Sequence, residues 1–109
     1  MNFDMNKMLQ EAQRMQAELQ KAQVEAAGEI VEASAGGGMV TVTANGAGEV
    51  VSITIDPRAI DPDDPELLAD LVLAAVNEAM RSGRALMESK ISGLMPGGLG
   101  DLGGLLPGA

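Results

Sequence analysis

The chain has 109 residues, 16 acidic against 7 basic side chains, a net charge of −9, and no cysteine, histidine, tryptophan or tyrosine. That length gives one domain with a modest core. Disulfides and thiolate metal sites are excluded, the commonest general base and metal ligand is missing, and so is an aromatic platform for single-stranded nucleic acid.

The first pattern is helical. Met5, Met8, Ala12, Met15, Leu19, Ala22 and Ala26 follow one another by alternating steps of three and four, a heptad stripe that forms a seam for another helix. Lys7, Arg14 and Lys21 recur every seven residues, and Glu11, Glu18 and Glu25 follow each by four, which makes a mixed-charge edge of i, i+3 and i, i+4 pairs. Methionine and alanine in the seam describe an adaptable pairing surface, and its plain reading is a core stripe. Gly28 is placed to end the helix as its C′ residue.

A sheet follows. Residues 30–35 read as a strand joined through Gly36, Gly37 and Gly38 to a second run, in which Val40, Val42 and Ala44 alternate with Thr41 and Thr43. Asn45 and Gly46 predict a hairpin turn with positive φ at both positions. The third strand places Val51, Ile53 and Ile55 on one side, and Asp56-Pro57 closes it because proline cannot donate to a ladder. The hairpin has one apolar face and needs a cover.

Four acids lie between Asp61 and Glu66. They lack the alternate spacing, central glycine and distal glutamate of a calcium loop. Asp64 as N-cap, Pro65 at N1 and Glu66 in the first turn explain the same residues by helix capping. The second helix is predicted from residue 65 to about residue 91. Leu68, Leu71, Val72, Ala75, Val76, Ala79, Met80, Gly83, Leu86 and Met87 form a broad apolar face, with Asn77, Glu78, Arg81 and Arg84 on the polar side. Gly83 within it implies close packing. Residues 93–109 hold seven glycines and two prolines. They are expected to be a disordered tail whose leucines make at most weak contacts.

The fold class expected is α+β: a long N-terminal helix, a three-stranded antiparallel meander and a long C-terminal helix. Residues 1–92 form one domain and residues 93–109 the tail. A 22-residue helix is about 33 Å long and a six-residue strand about 20 Å, so both helices overhang the sheet. The overhanging seams predict a homodimer, with Met8, Met15, Leu19, Met80, Leu86 and Met87 at its interface. No apolar run exceeds six residues, which predicts neither a secretion signal nor a membrane span.

Four stretches in this order resemble the YbaB/EbfC family of bacterial nucleoid-associated proteins: residues 5–16, residues 36–46, Ile53-Thr54-Ile55-Asp56-Pro57, and residues 64–77. The resemblance runs over nearly the whole chain, including the Gly-rich tail. It implies a tweezers-shaped homodimer of paired helices projecting from a sheet body, binding duplex DNA with little sequence specificity, cytoplasmic and associated with the nucleoid. In that family lysines often occupy the positions of Thr41 and Thr54, and the first helix is frequently more basic. This chain departs in the direction of weaker DNA affinity.

A net charge of −9 is compatible with DNA binding because distant acids are screened beyond about 8 Å, so the local arrangement of cations decides. Lys7, Arg14 and Lys21 form one row and Arg81 with Arg84 a second, each doubled in a dimer. The alternative for the first row is surface ion pairing with its glutamates. No recognition helix of familiar spacing is present, so backbone contact is expected in place of base readout.

Two rival classes remain. Ser34, Ser52, Ser82, Ser89 and Ser92 have no histidine to activate them, Ser89 and Lys90 are adjacent on a helix and face apart, and the glycine runs lie between strands, so neither catalysis nor a phosphate loop is expected, and no cofactor. An acidic adaptor for a replication or recombination-repair partner, with little or no direct DNA contact, is the stronger rival.

Overall fold

A computed structural model of the protein describes residues 4–94. Helix α1 (Met5–Gly28) is followed by strands β1 (Ile30–Ala35), β2 (Val40–Asn45) and β3 (Val50–Ile55), a 3₁₀ turn (Pro57–Ala59) and helix α2 (Pro65–Ser92). The strands form an antiparallel meander in the order β1-β2-β3. The expected α+β architecture is therefore present, with β1 over the residues its sequence indicated. The expected tail lies outside the described residues from residue 95 on.

Capping starts both helices. Asp4 Oδ1 accepts from the Lys7 amide at 3.2 Å, and Asp64 Oδ1 accepts from the Leu67 amide at 3.3 Å with Pro65 at the first helical position. Each removes one orphan donor from a first turn. The acidic run before α2 is thus a cap, with Asp61 Oδ1 accepting from the Asp63 amide inside it. Gly28 departs from its expected role: it is the last helical residue, it lacks positive φ, and the Glu29 amide closes the turn on the Ala26 carbonyl.

Both inter-strand turns use glycine. Gly36, Gly37 and Gly38 all have positive φ, where a Cβ is strained. In the second turn positive φ is found at Gly48 and at neither Asn45 nor Gly46, contrary to the hairpin geometry expected of Asn-Gly. The reason is the Asn45 side chain. Its Oδ1 accepts from the Ala47 and Glu49 amides at 3.0 and 3.1 Å, an Asx arrangement that bends the chain without inverting φ at Asn45.

α2 packs on β1 and β2 and scarcely reaches β3. Val40, Val42 and Ala44 of β2 and Ala33 of β1 meet Ala75 and Ala79 of α2, all buried, with Leu68, Leu71, Val72 and Val76 packed around them. Small side chains let the helix approach closely. A Cβ on Gly83 would lie 2.6 Å from the Asn45 carbonyl oxygen. The opposite sheet face is polar, carrying Glu32, Ser34, Thr41, Thr43, Ser52 and Thr54 in cross-strand register.

The alternation in β3 is broken by a bulge. Ser52 pairs with Thr43 and Val50 with Ala44, so Val51 is the extra residue, and Val50 takes the place expected of Val51 on the α2 side. Val50 and Ile53 remain 40% and 47% exposed although their cross-strand partners are fully buried. They form the uncovered margin of the core.

Beyond the sheet the helices continue side by side for a short distance. Ala22 and Ala26 are the buried residues of α1, whereas residues 4–14 are exposed throughout. The largest fully buried side chains among the described residues are Val40 and Val42. At roughly 1.5–3 kcal/mol for each large apolar side chain buried, this is a small core for two long helices.

Candidate nucleic-acid interface

Helical periodicity brings Lys7, Arg14 and Lys21 to one edge of α1, where the structure separates them by partner. The Arg14 guanidinium bonds Glu11 at 2.8 Å and Glu18 at 3.0 Å, so it is shared between two carboxylates one turn away on either side. The hydrogen bond from Arg14, and then its charge, hold the Glu11 carboxyl below the usual carboxylate range. Lys7 and Lys21 make no ion pair among the described residues. Fourteen residues apart on a helix, their Cα atoms are separated by about 21 Å along the axis.

The second cluster divides in the same way. Arg81 chelates Glu78 Oε2 through Nη2 at 2.6 Å and Nε at 3.1 Å. Arg84 has no carboxylate partner among the described residues and borders a shallow cleft with Gly46, Ala47, Gly48, Met87 and Glu88. The glycine turn beside it is not a phosphate cradle. Its amides are already used, from Gly46 to the Ala26 carbonyl, from Gly48 to the Asn45 carbonyl, and from Ala47 and Glu49 to Asn45 Oδ1.

Two cations outside both rows have structural tasks. Arg58 closes on Asp56 at 2.9 Å and depresses its carboxyl, chiefly by side-chain hydrogen bonding. Lys90 bonds Glu29 at 2.6 Å and approaches Glu25 at 3.9 Å, which ties the end of α2 to the end of α1. The Glu29 hydrogen bond leads in raising the Lys90 ammonium above its ordinary value. Sequence spacing could not reveal this contact, since its members lie some sixty positions apart.

Of the six residues expected at a dimer interface, Met15, Leu19, Met80, Leu86 and Met87 are half-buried and Met8 is 55% exposed. Met80 lies against Gly48 at the β2–β3 turn, on the flank of α2 that faces β3. Thr41 and Thr54 are direct cross-strand partners on the polar sheet face, so that face carries hydroxyls where lysines would make it basic. Among the described residues no group of acids is placed to hold a metal ion, and no helix is long and apolar enough to cross a membrane.

The described residues form a helix–meander–helix domain of the α+β class, with cations along two long helices and bare apolar margins. The chain is a member of the YbaB/EbfC DNA-binding family, whose sequence pattern matches residues 1–99. It is 47% identical over 102 residues to a nucleoid-associated protein of Acetivibrio thermocellus, covering 94% of this chain and 89% of that one. A nucleoid-associated protein of Streptomyces avermitilis is 49% identical over 105 residues, covering 96% and 90%. A crystal structure of an uncharacterized Helicobacter pylori protein shares the fold with a TM-score of 0.68 at 25% identity, over 77% of this chain and 88% of that one.

Proposed function

We propose that the protein binds duplex DNA as a homodimer, mainly through the phosphate backbone and with low sequence specificity, as a nucleoid-associated protein of the cytoplasm. The observation that carries this reading is the division among the cations. Lys7, Lys21 and Arg84 are unpaired with carboxylates among the described residues and stand on the two helices, whereas Arg14 and Arg81 must first exchange a carboxylate for a phosphate. Lys7, Lys21 and Arg84 are therefore the leading contacts, with Arg14 and Arg81 secondary. Names carried by the relatives support the nucleoid assignment.

The second copy follows from the uncovered margin of the core. Val50 and Ile53 on edge strand β3, with Met80, Leu86 and Met87 on α2, offer an apolar strip that a two-fold-related copy covers with the same strip. Three cations per copy then amount to about six phosphate contacts, and log K should fall with log salt at a slope near −5. Titration of the purified protein against unrelated duplexes at two salt concentrations tests this. Binding that is absent, or that does not respond to salt, would instead favour an acidic adaptor for a replication or recombination-repair protein.

A further inference from the structure

Asn45 is the only one of the chain's four asparagines that precedes a glycine. The pair is chemically labile, because glycine has no side chain to keep its own amide nitrogen away from the preceding side-chain carbonyl carbon. In the fold both reacting groups are occupied. Asn45 is 8% exposed, its Oδ1 accepts from the Ala47 and Glu49 amides at 3.0 and 3.1 Å, and its Nδ2 donates to Glu49 Oε1 at 3.2 Å. The Gly46 amide, which would be the nucleophile, donates to the Ala26 carbonyl at 2.9 Å.

These restraints differ in origin. Those on the Asn45 side chain are local to its own turn, whereas the one on the Gly46 nitrogen comes from α1. Of the described residues of that helix only Ala22 and Ala26 are buried, and its end is tied to α2 by Lys90 through Glu29 and Glu25. Two small side chains and an ion pair therefore hold the last turns of α1 down, while the sheet beneath is secured by the core around Val40 and Val42. Segments with few buried contacts open at a lower free energy than the whole fold, so the end of α1 lifts while the sheet stays folded.

We infer that Asn45-Gly46 is a self-modification site, held closed by the last turns of α1 and opened when they lift from the sheet. The freed Gly46 nitrogen gives its proton to water and bonds to Asn45 Cγ. The Cγ–Nδ2 bond breaks, and Nδ2 leaves as ammonia with a proton taken back from water, so that a succinimide ring remains. One water molecule then opens either carbonyl–nitrogen bond of the ring, leaving aspartate or isoaspartate at position 45. Each product weakens the seat of α1. Aspartate puts a carboxylate where Nδ2 met Glu49 Oε1, and isoaspartate adds a main-chain methylene between β2 and the turn, which shifts Gly46 from its place against Ala26. An opening of α1 is thus recorded covalently. Neither DNA nor a second copy takes part, so the site is independent of the DNA-binding reading.

Full-length protein incubated at neutral pH, either folded or in urea, is digested, and the peptide carrying position 45 is followed by mass spectrometry for aspartate and isoaspartate. Formation should be at least about ten-fold slower in the folded parent than in urea. Ala22→Gly and Lys90→Gln both loosen the end of α1 and should raise the folded rate several-fold. Leu68→Ala weakens the same core about 22 Å along α2 from Gly83, and should leave the folded rate unchanged even though the protein is less stable. A folded parent that reacts as fast as the unfolded chain would overturn the inference, as would two α1 variants that both react at the parent's rate. Equal acceleration by Leu68→Ala would do so too, since the site would then open only with the whole fold.

Discussion

Gly46 sits directly on Ala26: its amide donates to the Ala26 carbonyl at 2.9 Å, and a Cβ placed on it would fall 2.7 Å from both the Ala26 Cβ and that carbonyl oxygen. This contact joins the β2–β3 turn to α1, and with Gly83 against Asn45 it brings both helices to the same corner of the sheet.

Gly46→Ala is therefore expected to destabilise the fold by about 1–3 kcal/mol, because one of the atoms in the way belongs to the backbone of a helix and cannot rotate aside. Gly28→Ala is the control. A Cβ there meets nothing within 4 Å, and its helical backbone accepts alanine, so it should stabilise by about 0.5 kcal/mol. Urea unfolding of the two variants measures both, and a neutral Gly46→Ala would refute the contact.

Lys90 gives the fold a dependence on alkaline pH. Its ammonium is held above its ordinary value by Glu29, with Glu25 nearby. A folded value above the unfolded one contributes stability that is complete below the unfolded lysine value of about 10.4 and is lost as pH rises through the folded one. The stability difference between the parent and Lys90→Gln should accordingly be flat from about pH 6 to pH 9 and shrink above about pH 10.5. A difference that stays constant into that range would show that the ion pair does not tie the helices.

Ile53→Lys should weaken the proposed homodimer by about 100-fold or more. Two copies each lose an apolar group worth roughly 1.5–3 kcal/mol when buried and gain a charge at the seam, and each 1.4 kcal/mol is a factor of ten. Thr41→Lys, on the polar face of the same sheet, should leave the association unchanged. Sedimentation across a concentration series distinguishes the outcomes, and an unaltered Ile53→Lys dimer would place the seam elsewhere.

For DNA, Lys7→Gln, Lys21→Gln and Arg84→Gln should each reduce the steepness of the salt dependence by about 2, since a dimer loses two phosphate contacts with each substitution. Removing Arg14 together with Glu11, as Arg14→Gln with Glu11→Gln, keeps the net charge and takes away a guanidinium already shared between carboxylates. Its slope should change by less than about 1. Fluorescence titrations over a range of salt supply these slopes, and the reverse ranking would make Arg14 the leading contact.

The candidate site was only partly legible in the residues themselves. Seven-residue spacing is enough to align Lys7, Arg14 and Lys21, because helical geometry depends on nothing outside the helix. Whether Arg14 or Lys21 finds a carboxylate depends on which rotamers are adopted, and the same i, i+4 glutamate follows both. The Lys90–Glu29 tie is invisible to spacing because it crosses from one helix to the other.

Local chemistry was sufficient for the elements: period-two alternation for β1 and β2, Asp64-Pro65-Glu66 for the start of α2, Asp56-Pro57 for the end of β3. These signals are short-range, since caps, turns and amphipathic periods are settled by residues within a few positions of one another. Tertiary packing decided the rest. The bulge that exchanged Val51 for Val50 lies beside the β2–β3 turn, which is held between Ala26 and Gly83, and α2, lying over β1 and β2, left β3 bare. No residue carries that information alone, because it resides in the distances between elements distant in the chain.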